Sequence, residues 1–384
     1  MQVNDIFKKA IKLEPLSIDE GVLLYTQAST PDLMYVAHQL RTIHVPGNKV
    51  TWQIDRNVNI TNVCVAGCKF CNFHCNLHSD NAYITSIEEY KIKIEELKRY
   101  GGDQLLLQGG LHPKLGIDFY TKLFRELKQM YPDIKLHALS PTEIAFIAKK
   151  EKMTYREVLE RFVEAGLDSL PGAGAEILVE RVRRQISPGK PDSQSWIDIM
   201  AQAHKMRLVT SATMMIGHIE TPEERVEHLL KLRNLQASKP ADAPGFVNFV
   251  VWTFQDEGTK LQHEGIRNNV STEEYVRTVA LCRIMLNNIQ NIQASWLTVG
   301  VDTAQLCLHA GANDFGSIMI EENVVSSAGA KNRMDAYGIQ KAIVDAGFEP
   351  QLRNQRYEYI TLPDCKYSRI YSVEELKQKT SIKQ

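Results

Sequence analysis

Asn62-Val63-Cys64-Val65-Ala66-Gly67-Cys68-Lys69-Phe70-Cys71 sets three cysteines in the spacing C-x3-C-x2-C, directly after the alternating run Val58-Asn59-Ile60-Thr61. A strand that ends in a cysteine loop is a strand that delivers chemistry at its C-terminal end. Three thiolates on one short loop can hold three irons of a 4Fe-4S cube and leave the fourth iron open to a small chelating molecule. Structural zinc is the other reading, since it closes four ligands and His74, Cys75 or His78 could supply the fourth. Three buried or redox thiols are a third. An aromatic, Phe70, stands immediately before the last cysteine.

Outward from this loop the chain alternates between strand and helix patterns. The run 55–60 alternates into a first strand, and Ser86-Ile87-Glu88-Glu89 opens a helix closed by Gly101-Gly102. Asp103-Gln104-Leu105-Leu106-Leu107-Gln108 is a compact apolar run ending in Gly109-Gly110, the form of a buried parallel strand followed by close backbone approach. A helix over 119–130 leads to a strand at 135–139. Ser140-Pro141-Thr142-Glu143 then combines a capping box with proline at the first helical position. A helix over 155–165, a strand at 167–170 and the turn Pro171-Gly172-Ala173-Gly174-Ala175-Glu176 come next. The fifth strand, 208–216, ends at Gly217-His218-Ile219-Glu220, and Thr221-Pro222-Glu223-Glu224 caps a long helix. Strands at 246–254, 289–296 and near Ala312-Asn313-Asp314 complete eight. This predicts an α/β chain: a (β/α)8 TIM-type barrel over residues 51–315, an N-terminal helical cap over 1–50 and a C-terminal extension over 316–384 packing on the barrel. The extension ends in a charged tail, 374–384.

The chain has 384 residues, with 45 basic and 46 acidic side chains and a formal charge of −1, which points away from nucleic acid and other polyanions. No run of about 18 apolar residues and no basic-then-apolar leader is present, so no membrane partner is expected and the expected location is the cytoplasm. Seven cysteines, four of them within 64–75, suit a reducing compartment better than a disulfide framework. Cys282, Cys307 and Cys365 are isolated thiols.

In such a barrel the active site lies on the loops after the strands. The glycine-rich and polar segments fall there, although any single Gly-Gly is more often a plain turn. His218 and Glu220 form a candidate acid/base pair on one loop. Met214 and Met215 read equally well as barrel core. Arg181, Arg183 and Arg184 share one helix, where most arginines are solvated and one can reach a carboxylate bidentately. Glu321-Glu322-Asn323 either binds substrate hydroxyls or caps a helix.

The C-x3-C-x-aromatic-C pattern, with Phe70 before Cys71, resembles the radical S-adenosylmethionine (SAM) superfamily. That resemblance implies Cys64, Cys68 and Cys71 as ligands of a 4Fe-4S cluster, with the methionine end of SAM on the open iron. It implies SAM contacts at Phe70, Gln108, Gly109, Gly110, Ser140, Arg184 and Met215. Gln-Gly-Gly replaces the usual Gly-Gly-Glu where the methionine amino group is held. The phrases Gly102 to Pro113, His137-Ala138-Leu139-Ser140-Pro141, Ser169 to Glu176, Asn291 to Trp296 and Gly311-Ala312-Asn313-Asp314-Phe315-Gly316 are similar to the cyclic dehypoxanthine futalosine synthases of the futalosine route to menaquinone. The run Gln-Leu-Leu-Leu-Gln-Gly-Gly distinguishes that group from the aminofutalosine synthases. The sequence departs from the group at Cys71-Asn72-Phe73-His74-Cys75, where Ala is expected after the cluster cysteine and Tyr-Arg after Phe, so Cys75 is an extra thiol. Similarity to this group further implies a small-molecule substrate, dehypoxanthine futalosine, held with help from Asn313, Asp314 and Glu322. It also implies an external electron donor such as flavodoxin or ferredoxin. His218 or Glu220 would take the final proton, and both terminal segments would serve as lids. An aminofutalosine synthase-like enzyme and a zinc-binding, non-radical protein are the alternatives.

Overall fold

A computed structural model describes residues 2–378, so residues 379–384 of the expected charged tail lie outside the described residues. Ten strands form one parallel sheet: β1 Lys49–Gln53, β2 Asp55–Asn59, β3 Gln104–Gln108, β4 Lys135–Ala138, β5 Ser169–Leu170, β6 Val209–Ile216, β7 Gly245–Thr253, β8 Asn291–Ala294, β9 Asp314–Ser317 and β10 Glu349–Leu352. The order is β10-β1-β9-β8-β7-β6-β5-β4-β3-β2. Only Ile54 separates β1 from β2. The first half of this continuous run pairs with β9, at Thr51 against Asp314, and the second half pairs with β3, at Asn57 against Leu106. One strand therefore closes the ring, and the arrangement is the expected (β/α)8 barrel. β10 is an addition beside β1. The first barrel strand begins at Lys49 and the last runs to Ser317, slightly outside the range read from the sequence.

Capping residues start the helices where the sequence places them. Ser17 with Glu20, Ser86 with Glu89, Thr154 with Glu157 and Thr221 with Glu224 each make both bonds of a capping box. The box expected at Ser140 forms by half. Ser140 accepts from the Glu143 N–H, but the Glu143 carboxylate turns away to accept the N–H of Gly109 at 3.1 Å. The barrel strands are buried on both faces, as a parallel sheet with helices outside it must be.

The three N-terminal helices, Val3–Ile11, Ile18–Gln27 and Thr30–His44, pack against the outer helices Pro222–Ala237 and Thr272–Met285. Arg233 donates to the Leu16 carbonyl at 2.7 Å, and Arg41 donates to the carbonyls of Lys49 (2.9 Å) and Ala312 (3.2 Å). The Lys49 and Ala312 carbonyls lie at the N-terminal ends of β1 and β9. The helical segment thus covers the side and floor of the barrel and is no lid, which corrects the expectation. The mouth is covered from the other terminus. Asn323 reaches Asn59 at 3.1 Å, Asn72 donates to the Ser327 carbonyl at 3.1 Å, and Asn332 donates to the Leu297 carbonyl at 2.9 Å.

Candidate active site

The cysteine loop leaves β2 and is held on several sides by backbone bonds. Cys64 N–H donates to the Cys75 carbonyl, and Cys75 N–H to the Asn62 carbonyl. Val65 N–H donates to Leu111, and Lys69 N–H to Ile186 at 2.8 Å, while Gly189 N–H donates to Ala66. Two glycines make this packing possible. A Cβ on Gly110 would lie 2.2 Å from the Val63 carbonyl oxygen, and one on Gly189 would lie 2.4 Å from that of Ala66.

Cys64, Cys68 and Cys71 all face one cavity of about 400 Å³ at the C-terminal ends of the strands. Burial pushes the Cys68 thiol up to about 12 and raises those of Cys64 and Cys71. Buried thiols without a metal stay neutral, so ionising them requires a strong positive charge at the same place. Among the described residues no three His, Cys, Asp or Glu side chains converge as ligands of a single metal ion. A cube asks for wider spacing, because each iron takes one thiolate and the core fills the space between. His74 points its Nδ1 at the Cys71 carbonyl, 2.8 Å away, and Cys75 is engaged through its backbone. Three thiols, one loop and a shared cavity fit the cluster.

Of the other residues singled out from the sequence, Phe70, His74, Gln108, Gly109, Gly110, Ser140 and Glu322 line this cavity. Glu322 is occupied there: its carboxylate accepts the N–H groups of Val324, Val325 and Ser326 at 2.7–2.9 Å and shapes the covering loop. Arg184, Met215, His218, Glu220, Asn313 and Asp314 do not line the cavity. Arg184 is two-thirds exposed, lies 3.4 Å from Glu180 and is not part of the cavity wall. The buried arginine of that helix is Arg183, spent on the carbonyls of Gly174, Ala175 and Pro191. Met215 is fully buried in the core, and Thr213 of the same strand lines the wall instead.

The side chains of His218 and Glu220, expected as acid and base, are 0% and 1% exposed and do not line the cavity. The Glu220 carboxylate accepts from the N–H groups of Gly217 and His218 and pairs with Arg225 at 2.7 Å. Burial would raise its pKa, but Arg225 and the N–H groups of Gly217 and His218 hold it well below the ordinary carboxylate range. His218 Nε2 faces the Met215 carbonyl at 3.1 Å, and the Ile219 N–H donates to its Nδ1. These bonds fold the loop onto itself. Asn313 and Asp314 are also walled off. Asn313 bonds Arg283 (2.7 Å), Asn291 (2.8 Å) and the Ile292 N–H (3.0 Å). Asp314 holds Arg353 through both oxygens, at 2.5 and 3.0 Å, on the barrel floor.

Several cavity groups carried no functional signal in the sequence. Burial pushes the Glu143 carboxyl up to about 8, although Ser140 and the Gly109 N–H oppose the rise. Glu176 pairs with Lys190, whose ammonium sits 5.1 Å from the Phe70 ring centroid. Burial would lower the Lys190 pKa, but the Glu176 carboxylate paired with it holds it above the ordinary lysine value. Glu143 and Glu176 were visible in the sequence only as a cap and a turn end, and Lys190 not at all. Asn57 and Asn59 contribute amides, and Trp252 and Trp296 contribute broad apolar faces. The result is a largely apolar chamber with thiols on its wall, suited to chemistry that water would quench.

Residues 58–232 match the radical SAM superfamily, and residues 243–366 match the CofH/MqnC C-terminal region. The chain is 38% identical over 360 residues to the cyclic dehypoxanthine futalosine synthase of Halalkalibacterium halodurans, covering 94% of this chain and 95% of that one. It is also 38% identical to the Streptomyces coelicolor protein of the same name, with 90% and 86% covered. A third relative, the 5-amino-6-(D-ribitylamino)uracil–L-tyrosine 4-hydroxyphenyl transferase of Methanopyrus kandleri, is 37% identical, with 89% and 93% covered. Among solved structures, methylornithine synthase superposes with a TM-score of 0.68 at 20% identity, covering 91% of this chain and 98% of that one. The FeFe-hydrogenase maturase HydG of Carboxydothermus hydrogenoformans superposes with a TM-score of 0.70 at 16% identity, covering 92% and 80%. With a three-thiol loop at the mouth of a parallel barrel and this kinship along almost its whole length, the chain belongs to the radical SAM superfamily, the enzymes that work with a 4Fe-4S cluster and SAM, in the branch carrying the CofH/MqnC C-terminal region.

Proposed function

We propose that this enzyme cyclises dehypoxanthine futalosine on the futalosine route to menaquinone. One observation carries the choice within the branch. The run Gln104 to Gly110, which resembles the cyclic dehypoxanthine futalosine synthases, is a wall of the cavity: Leu106, Gln108, Gly109 and Gly110 all line it. The feature that distinguishes the group thus lies where substrate and cofactor must sit.

Cys64, Cys68 and Cys71, which share the cavity wall, would hold the cluster, and the edge after β3 at Gln108, Gly109 and Gly110 would hold the methionine end of SAM. Bound there, the cluster and SAM would supply a 5′-deoxyadenosyl radical, and the cavity wall would hold the substrate ribose within its reach. The chain's own work is positioning and exclusion of water. Trp252 and Trp296 offer flat faces to the benzoate ring, and Asn57 and Asn59 offer amides to ribose hydroxyls. The covering loop at 322–325 closes over them. The ribose-centred radical would add to the ring, and aromaticity would return as one electron passes back to the oxidised cluster and one proton passes to a carboxylate of the cavity. The cluster's electron comes from an external one-electron carrier such as flavodoxin or ferredoxin.

Anaerobically reconstituted, reduced protein should convert dehypoxanthine futalosine and SAM to the cyclised nucleoside with 5′-deoxyadenosine. Parallel incubations with L-tyrosine and 5-amino-6-(D-ribitylamino)uracil, and with the aminofutalosine synthase substrate, should yield no coupled product. Product from either of these and none from dehypoxanthine futalosine would overturn the assignment.

A further inference from the structure

Lys190 is the one lysine or arginine among the described residues that line the cavity, and its side chain is only 12% exposed. Its position is fixed from outside the side chain. Lys69 N–H donates to Ile186, Gly189 N–H donates to Ala66, and both bonds clip the segment 186–190 onto the cysteine loop. The ammonium then lies over Phe70, between Cys68 and Cys71 in sequence, and ion-pairs with Glu176. Removing an ammonium from water is unfavourable unless charges nearby offset it. Glu176 offsets it once. A 4Fe-4S core with three thiolates carries one net negative charge when oxidised and two when reduced, so a fixed cation beside it favours the electron's arrival.

We propose that the Lys190–Glu176 pair sets the reduction potential of the cluster, with Lys190 stabilising the reduced state and Glu176 opposing it. This rests on Cys64, Cys68 and Cys71 being the cluster ligands. No bond is made or broken in the step concerned: one electron passes from a low-potential one-electron carrier to the cluster, and Lys190 acts as a positioning residue through its charge.

The test is an EPR-monitored redox titration of the reconstituted enzyme without SAM, with iron and sulfide counted in parallel. In K190M the reduced-to-oxidised ratio at a fixed poise should fall about tenfold, equal to a midpoint about 59 mV lower for a one-electron couple. E176Q should move the midpoint the opposite way, and K190R should restore the wild-type value. Opposite signs are the signature, since a packing defect or added water would shift both variants alike. Unmoved midpoints, or shifts of the same sign, in variants with full iron content would overturn the proposal. Should K190M not retain iron, the upward shift of E176Q decides alone. Wild-type protein that binds no cluster, or C68S that keeps a full one, would instead count against the ligand assignment.

Discussion

Glu143 shows how a residue's role changes between the chain and the fold. In sequence it is the third helical position of a capping box, and in the structure its carboxylate leaves the cap for Gly109 N–H at the cavity wall. Burial keeps it protonated up to about 8, against 4.5 for an ordinary glutamate. Linkage sets the sign of the effect on stability. Below 4.5 the folded and unfolded states bind the same proton and the contribution is complete; as pH rises toward about 8 only the folded state keeps it, and stability falls. E143Q should therefore flatten the decline in melting temperature of the cluster-free protein between those values, seen by calorimetry at a series of pH values. The cysteines give a sharper contrast. C64S, C68S and C71S should each lose most bound iron and the brown absorbance after reconstitution, whereas C75S should keep both, because Cys75 serves through its N–H and carbonyl. That three cysteines face one cavity was legible because their spacing is local. His218 and Glu220 were misread because a strand-end position says nothing about whether a turn opens outward. Here Glu220 draws the N–H groups of its own loop around itself.

At the scale of elements, the loop after β3 and the segment 186–190 act as two fixed edges of the cysteine loop. G110A forces a methyl to within 2.2 Å of a backbone oxygen that has no free end to swing away. The expected result is a loss of about 1–3 kcal/mol in chemical denaturation together with weaker iron retention. Gly47, before β1 and away from the cysteine loop, is the control: a Cβ there meets nothing within 4 Å but its φ of +91° makes any side chain strained, so G47A should lose stability without losing iron. Strand and helix order was readable because hydrophobic period and caps are local signals. Lys190 was not, since what places it is backbone pairing with residues more than a hundred positions earlier. β10 was missed too: Glu349-Pro350-Gln351-Leu352 is short and polar, and exists as a strand only because β1 is there to receive it.

For the whole molecule, the floor matters as much as the mouth. Arg353, 3% exposed, joins the C-terminal extension to Asp314 in β9 and lies 3.9 Å from the Tyr357 ring centroid. R353M leaves the Asp314 carboxylate buried without its cation and should cost about 3–5 kcal/mol in denaturant unfolding. The double variant R353M/D314N should recover part of that loss, because it removes the stranded charge.

Ring closure by a single strand also imposes an order of events on biogenesis. Thr51 meets Asp314 across 263 positions, so β1 finds its permanent neighbour only after most of the polypeptide has left the ribosome. Ribosome-bound chains stopped before residue 314 should take up no lasting iron from an assembly system, whereas released chains should fill. Metal delivery would then be a post-translational act, timed by the last strand and not by the first cysteine.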